Sequence, residues 1–320
     1  MAATPRLRAR GARLTAIALP AAELRRLLQL GLAGLWLLDG ILQLQPYMFT
    51  TGFARQVLAP AASGNPSAVA APMSAIARLV SHHPVPANAG FAAFQVGLGL
   101  AIAWRPTVRA ALAASIVWAL AVWWLGEGLG GVLTGSAGPL AGGPGAALLY
   151  AVLAVLVWPL GPAEERSRAG DRAFIGAGRI GVPAARLTWL GLWAALAGLA
   201  LTRSSRSAQG VHDLLVGMAG GAPSWLAAID DRAAALAAHR GLAIAVALAF
   251  TCTGIAISAF GSRAAVRAGV VAAATLGAVI WVVAQAFGGI AGGQSTDPGS
   301  GPLLMLIAIA YWPLAGGGQW

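Results

Sequence analysis

The stretch VRAALAASIVWALAVWWLGEGLGG, residues 108–131, decides the class of fold. From Ala110 to Leu125 it carries no charge, and then a single carboxylate, Glu127, interrupts it. A charged carboxylate in or near hydrocarbon is costly, so such a residue is usually absent, paired or functional. The rest of the chain has to say which.

Composition sets the frame. The chain has 320 residues, 58% hydrophobic and only 10% charged, with a mean hydropathy of +0.74. A soluble domain carries about 25% charged residues, so this chain cannot cover an ordinary water-facing surface. It reads as an all-α integral membrane protein, with the lipid bilayer as its first partner. The net charge is +11 and all 21 basic residues are Arg. These Arg lie between apolar spans instead of forming one basic domain, which argues against a nucleic-acid partner. The one cysteine, Cys252, excludes an intramolecular disulfide and dithiol chemistry, and reads as a small buried apolar residue. Arg6, Arg8, Arg10 and Arg13 precede LTAIALPAA, which is too short for a span, contains Pro20 and is followed by Glu23, Arg25 and Arg26. Residues 1–26 therefore read as a basic cytoplasmic tail.

A crossing helix needs about 20 largely apolar residues. The candidates are 27–44, 89–104, 110–127, 144–160, 187–202, 240–259, 268–286 and 302–317, eight spans with both termini on one side. Fifteen Arg fall in the tail, the 105–109 turn, the 161–186 loop and the 263–267 turn, against six in the opposite loops. The positive-inside rule makes the first side cytoplasmic, and a plasma-membrane location follows. Trp104, Trp158, Trp189 and Trp312 then sit at the inner interface, with Trp123, Trp124 and Trp281 at the outer one. The outer loops 45–88 and 203–239 each hold an amphipathic stretch, SAVAAPMSAIARLV and SWLAAIDDRAAALAA, expected to be surface helices.

The two halves resemble each other. LW at 35–36 returns at 192–193, VRA at 108–110 at 266–268, and GG at 130–131 at 288–289. GP at 143–144 matches 301–302, and WPL at 158–160 matches 312–314 with an offset about one helical turn shorter. The organisation expected is a first four-helix unit over 27–160, a cytoplasmic linker over 161–186 and a second unit over 187–320. An even number of spans per unit makes this a parallel repeat. Glu127 aligns with Gln285 and Asp39 with Leu196, so the second unit does without both acids. His82 aligns with His239, which suggests a structural role for both.

The residues with chemistry gather in the first unit. Asp39 and Gln43, four apart, share a helix face. At about 1.5 Å per residue Asp39 lies some 18 Å into its span, past the midplane on the outer side. Glu127 ends the third span, and Tyr47, His82 and His83 belong to the outer loop. Asp39, Gln43, Glu127, Tyr47 and His82 are the expected lining of one outward-facing site for a ligand or a proton. A metal site is not expected: only His82 and His83 are adjacent, and neighbours on a helix diverge by about 100°. GLGGVLTG follows a membrane helix instead of a strand, so it is no phosphate loop. The spacings Gly31/Gly34 and Gly97/Gly99 read as close helix packing.

LLQLGLAGLWLLDGILQLQP and, after a loop, GFAAFQVGLGLAIAWRPTVRAALAA resemble the DoxX-like group of small four-helix membrane proteins. The resemblance covers 27–160 and, more faintly, 187–317, and the fused double unit departs from the usual single one. It implies a membrane subunit of an oxidoreductase assembly, with quinone as the implied cofactor and a redox protein as partner. It carries over no catalytic residue. Two other classes stand beside it: a transporter of a small solute, lipid or metal ion with its site between the repeats, and a non-catalytic scaffold.

Overall fold

A computed structural model of the chain describes residues 20–161, 163–164, 173–207, 209–219 and 222–314. Most of the expected basic tail, the middle of the linker with Arg166, Arg168 and Arg172, and residues 315–320 lie outside the described residues. Among the described residues the secondary structure is helical, with no strand.

Helix α1 (Ala21–Leu42) starts behind Pro20 and is rich in Leu, a strong helix former. A short turn at Pro46–Phe49 and a helical stretch over 51–61 follow, opened by the Thr50 hydroxyl, which accepts the Gly52 N–H at 3.1 Å. Then come α2 (Ser67–His82), α3 (Pro84–Ala103), α4 (Val108–Leu125) and α5 (Ala146–Leu156). The second half contains α6 (Ala177–Ala200), α7 (Gly210–Ala219), α8 (Ser224–Ala237), α9 (Gly241–Ser258), α10 (Arg263–Val279) and α11 (Ser300–Ala310). α2 buries Met73, Ala77 and Val80, and α8 buries Leu226, Asp230, Ala234 and Ala237. Burial at those spacings marks one packed face per helix.

Among the described residues five helical stretches are long and apolar enough to cross a membrane: Pro84–Ala103, Arg105–Leu125, Ala177–Ala200, Gly241–Ser258 and Arg263–Gly292. α1 has the length but carries Arg25, Arg26 and Asp39. The expected spans 144–160 and 302–317 need correction. Their helices, α5 and α11, have 11 residues each, or about 16 Å, half of a hydrocarbon core of about 30 Å. Before each lies an irregular glycine-rich segment, 126–145 and 285–299. Such backbone is tolerated inside a membrane protein only where it is buried in protein or lines a cavity.

α1 packs on α3, α4 on α5, α6 on α9 and α10 on α11, while α5 touches both α6 and α11. One apolar core runs through both halves, from Leu28, Trp36 and Tyr150 to Trp189, Leu304 and Tyr311. Of the four packing glycines expected, two are close contacts. A Cβ at Gly99 would lie 2.6 Å from the Leu37 side chain, and one at Gly31 would lie 3.1 Å from Leu306, whereas Gly34 and Gly97 meet open space. Arg26 donates to the carbonyls of Ile102 (3.1 Å) and Ala103, and Gln29 Nε2 donates to Val157 O at 2.9 Å. These contacts satisfy helix-end carbonyls that have no partner within their own helix. They gather the start of α1 and the ends of α3 and α5 at one pole, which leaves Asp39 toward the other.

Candidate functional site

The site begins where α4 stops. After Leu125 the N–H groups of Gly126 and Glu127 both reach Val122 O, at 2.8 and 2.9 Å. Four residues with positive φ follow, Gly128, Leu129, Gly130 and Gly131, and turn the chain back on itself. A Cβ at Gly130 would lie 1.9 Å from Pro144 O, so only glycine lets the two segments meet. Trp123 Nε1 donates to the same carbonyl at 2.6 Å. Glu127 Oε1 then accepts the Ala147 N–H at 3.0 Å. That N–H belongs to the first turn of α5, where no intrahelical partner exists and the helix dipole favours negative charge.

The second half repeats this clamp with an amide. Gln285 Oε1 accepts the Ser300 N–H at 3.0 Å, and Gln285 Nε2 donates to Ser300 Oγ at 2.8 Å. A Cβ at Gly145 would lie 2.3 Å from Glu127 Oε2, and one at Gly299 would lie 2.3 Å from Gln285 Oε1. Pro298–Gly299 thus stands where Pro144–Gly145 stands. The match of GP at 143–144 to 301–302 is corrected accordingly: Pro144 precedes α5, whereas Pro302 lies inside α11. The offset shortens within the glycine-rich loop. Because a neutral amide caps α11, capping alone does not require a charge at Glu127. Its second oxygen, Oε2, is buried without a hydrogen-bond partner.

Glu127 also lines a chamber of about 240 Å³. Asp39 and Gln43 enter it from α1, Gln95 from α3, Glu127 from the end of α4, Tyr150 from α5 and Asp297 from the second half. Trp36, Phe53, Phe91 and Trp118 form its aromatic wall. Asp39, Gln43 and Gln95 are 2%, 4% and 6% exposed. Asp39 Oδ1, Gln43 Oε1, Gln95 Oε1 and the Tyr150 hydroxyl all lack a hydrogen-bond partner. Tyr150 lies beside Asp39, close enough to interact but short of a formed hydrogen bond. Its ring is 4.3 Å from that of Trp36, which is itself fixed by a 2.8 Å bond from Nε1 to Ser115 Oγ. Each unmade buried bond costs about 1–3 kcal/mol. Among the described residues no Arg or His lines the chamber.

A second, more open cavity of about 500 Å³ adjoins it. Glu127 and Asp297 line both, so they form the threshold between vestibule and chamber. Gln285 and Ser300 from the second half share the vestibule with Gly128 and Thr134 from the first. Asp297 is held by its own turn: Oδ1 accepts the Gly299 N–H at 2.8 Å, and Oδ2 accepts Thr296 Oγ1 at 2.9 Å. Sequence reasoning missed Asp297. The available signal was an acid directly before the Pro298–Gly299 pair.

Tyr47 and His82 were expected in the same pocket and do not line it. The Tyr47 hydroxyl donates to Gln56 Oε1 at 2.9 Å, within the segment between α1 and α2. His82 ends α2 with an exposed side chain, and His83 is exposed beside it. His82 and His239 also differ in conformation, since His239 has φ +60° while His82 is helical. Among the described residues no three His, Cys, Asp or Glu come together in a way that would hold a metal ion.

Compared with known proteins, the chain matches no family model, no curated protein and no solved structure.

Proposed function

We propose that the chain is a membrane protein of eight crossings, two of them made by the half-length α5 and α11 together with the glycine-rich segments before them, built as two parallel four-helix units, that receives an amphiphilic ligand from its outer face. The paired clamps Glu127–Ala147 and Gln285–Ser300 support the duplication, and the Arg bias supports a plasma-membrane protein with both termini cytoplasmic. In this reading it is the membrane subunit of a redox assembly, and the chamber of the first unit takes a quinol-type headgroup. One observation carries the assignment: Asp39 Oδ1, Gln43 Oε1, Gln95 Oε1 and Glu127 Oε2 are acceptor oxygens without donors beside an aromatic wall. A hydroquinone brings two O–H donors on a flat ring, whereas a quinone only accepts. The aromatic residues suit the ring. The DoxX-like layout of the first unit supports a redox partner protein.

The test is a binding titration on the protein in nanodiscs under anaerobic conditions, followed through tryptophan fluorescence. A short-chain ubiquinol should bind at least about tenfold tighter than its quinone, equivalent to one or more donor bonds gained. Equal affinity, or none for either form, would remove this reading.

A second reading, passage of a small solute or lipid, is favoured by the vestibule. Residues of both units line it, as in transporters whose site lies between duplicated halves. Solute counterflow in proteoliposomes separates the two: uptake supports passage, and its absence with quinol binding intact supports the redox role.

A further inference from the structure

We propose that the chamber also binds an organic ammonium ion, its charge seated among Asp39, Glu127 and Asp297 and its apolar part against Trp36, Phe91 and Trp118. Three carboxyl groups line one small cavity, and no Arg or His among its lining residues opposes them. A bound cation favours the ionised form of these carboxyls, which an anionic ligand would oppose. A bare metal ion is a poor fit as well, because the carboxyls do not converge into a metal-holding group. An ammonium N–H donates to carboxylates at about 2.7–2.9 Å, longer than a metal–oxygen bond, so its charge can sit among acids spaced too widely for a metal. Aromatic faces attract such a cation through their quadrupole, most strongly where water is excluded.

The acids are not the only sign of a ligand. Gln43, Gln95 and Tyr150 are more than nine-tenths buried, line the same space, and each holds an oxygen with no hydrogen-bond partner. An ammonium N–H can donate to these oxygens as well as to the carboxyls. Among the described residues the second half repeats neither Asp39 nor Tyr150. Leu196 stands at the sequence position of Asp39, and Leu304, offset like Gly299 from Gly145, stands at that of Tyr150; both are buried in the core. One ammonium per chain follows. This inference does not rest on the quinol reading, since a chamber that rejects hydroquinone can still take a cation, and the converse holds too.

Benzylammonium and benzyl alcohol make the test. They share a ring and a donor group but differ in charge. Isothermal titration of the full chain in nanodiscs of zwitterionic lipid should show benzylammonium binding about tenfold or more tighter, at one per chain. Asp39→Asn and Glu127→Gln should each weaken benzylammonium by about tenfold and benzyl alcohol by clearly less, because the amide keeps an acceptor oxygen but loses the charge. Equal affinity of the two probes for the wild-type chain, or two cations per chain, would overturn the proposal whatever the variants do. Binding of ubiquinol does not enter the comparison, so the two readings fail separately.

Discussion

Glu127 Oε1 accepts the backbone N–H of Ala147 at 3.0 Å, and this bond joins the end of one long helix to the start of a half-length one. Gln285 makes the corresponding bond to Ser300 at the same distance. The pair separates two jobs that a single carboxylate could otherwise confuse. The cap needs an acceptor, and an amide supplies one. The other oxygen of Glu127 is buried without a hydrogen-bond partner, and the residue lines the chamber, so the carboxylate is free for a second task.

Glu127→Gln should therefore keep the cap. Its thermal midpoint in detergent should stay close to wild type while ligand affinity falls. Glu127→Ala removes the acceptor and should cost about 1 kcal/mol of stability as a lost helix cap. Equal destabilisation by Gln and Ala would show that the charge itself holds the fold.

Gly145→Ala tests the clamp from the other side. Gly145 has φ +111°, and a Cβ would fall 2.3 Å from Glu127 Oε2. Both effects act in the same direction, so a loss of at least about 1–3 kcal/mol is expected, read as a lower midpoint. Gly135→Ala makes the comparison: φ is also positive, +71°, but the space is open, so it carries only the backbone strain. If the two variants lose the same stability, Gly145 is not held by Glu127.

Asp39→Leu copies the second half, where Leu196 is buried. Removing a buried acceptor without a donor should leave stability unchanged or raise it by about 1–3 kcal/mol, and ligand binding should vanish. Chemical denaturation and a ubiquinol titration check the two parts. A marked loss of stability would make Asp39 structural.

Tyr150→Phe removes only a hydroxyl that makes no bond. Stability should not fall, because the Trp36 contact belongs to the ring. Affinity for a hydrogen-bonding ligand should drop several-fold, about one neutral hydrogen bond. An unchanged affinity would place the ligand away from Tyr150.

Apolar runs such as 240–259 were legible because hydropathy reads them directly, and α9 lies within two residues of that range. Asp39 and Gln43 could be placed on one face because their spacing is helical. The half-length of α5 and α11 was hidden. Hydropathy treats a glycine-rich apolar loop and a helix alike, and the positive φ values at Gly128, Gly130 and Gly145 leave no trace in it. The part of Asp297 was hidden for another reason: it meets Asp39 only through the packing of the second half against the first. For Tyr47 and His82, membership of the 45–88 loop placed them near that end of the helices but did not say which way they faced.

The proposal that the chamber opens outward can be tested directly by accessibility. Gln95 lines the chamber and is 6% exposed, and the one native cysteine, Cys252, is buried. In a Cys252→Ser background, Gln95→Cys should react with a membrane-impermeant thiol reagent added to the outer face of intact cells, and saturating ubiquinol or benzylammonium should slow that reaction. Labelling only from the cytoplasmic face of inverted vesicles, or a rate that neither ligand changes, would contradict an outer site built from Asp39, Glu127 and Asp297.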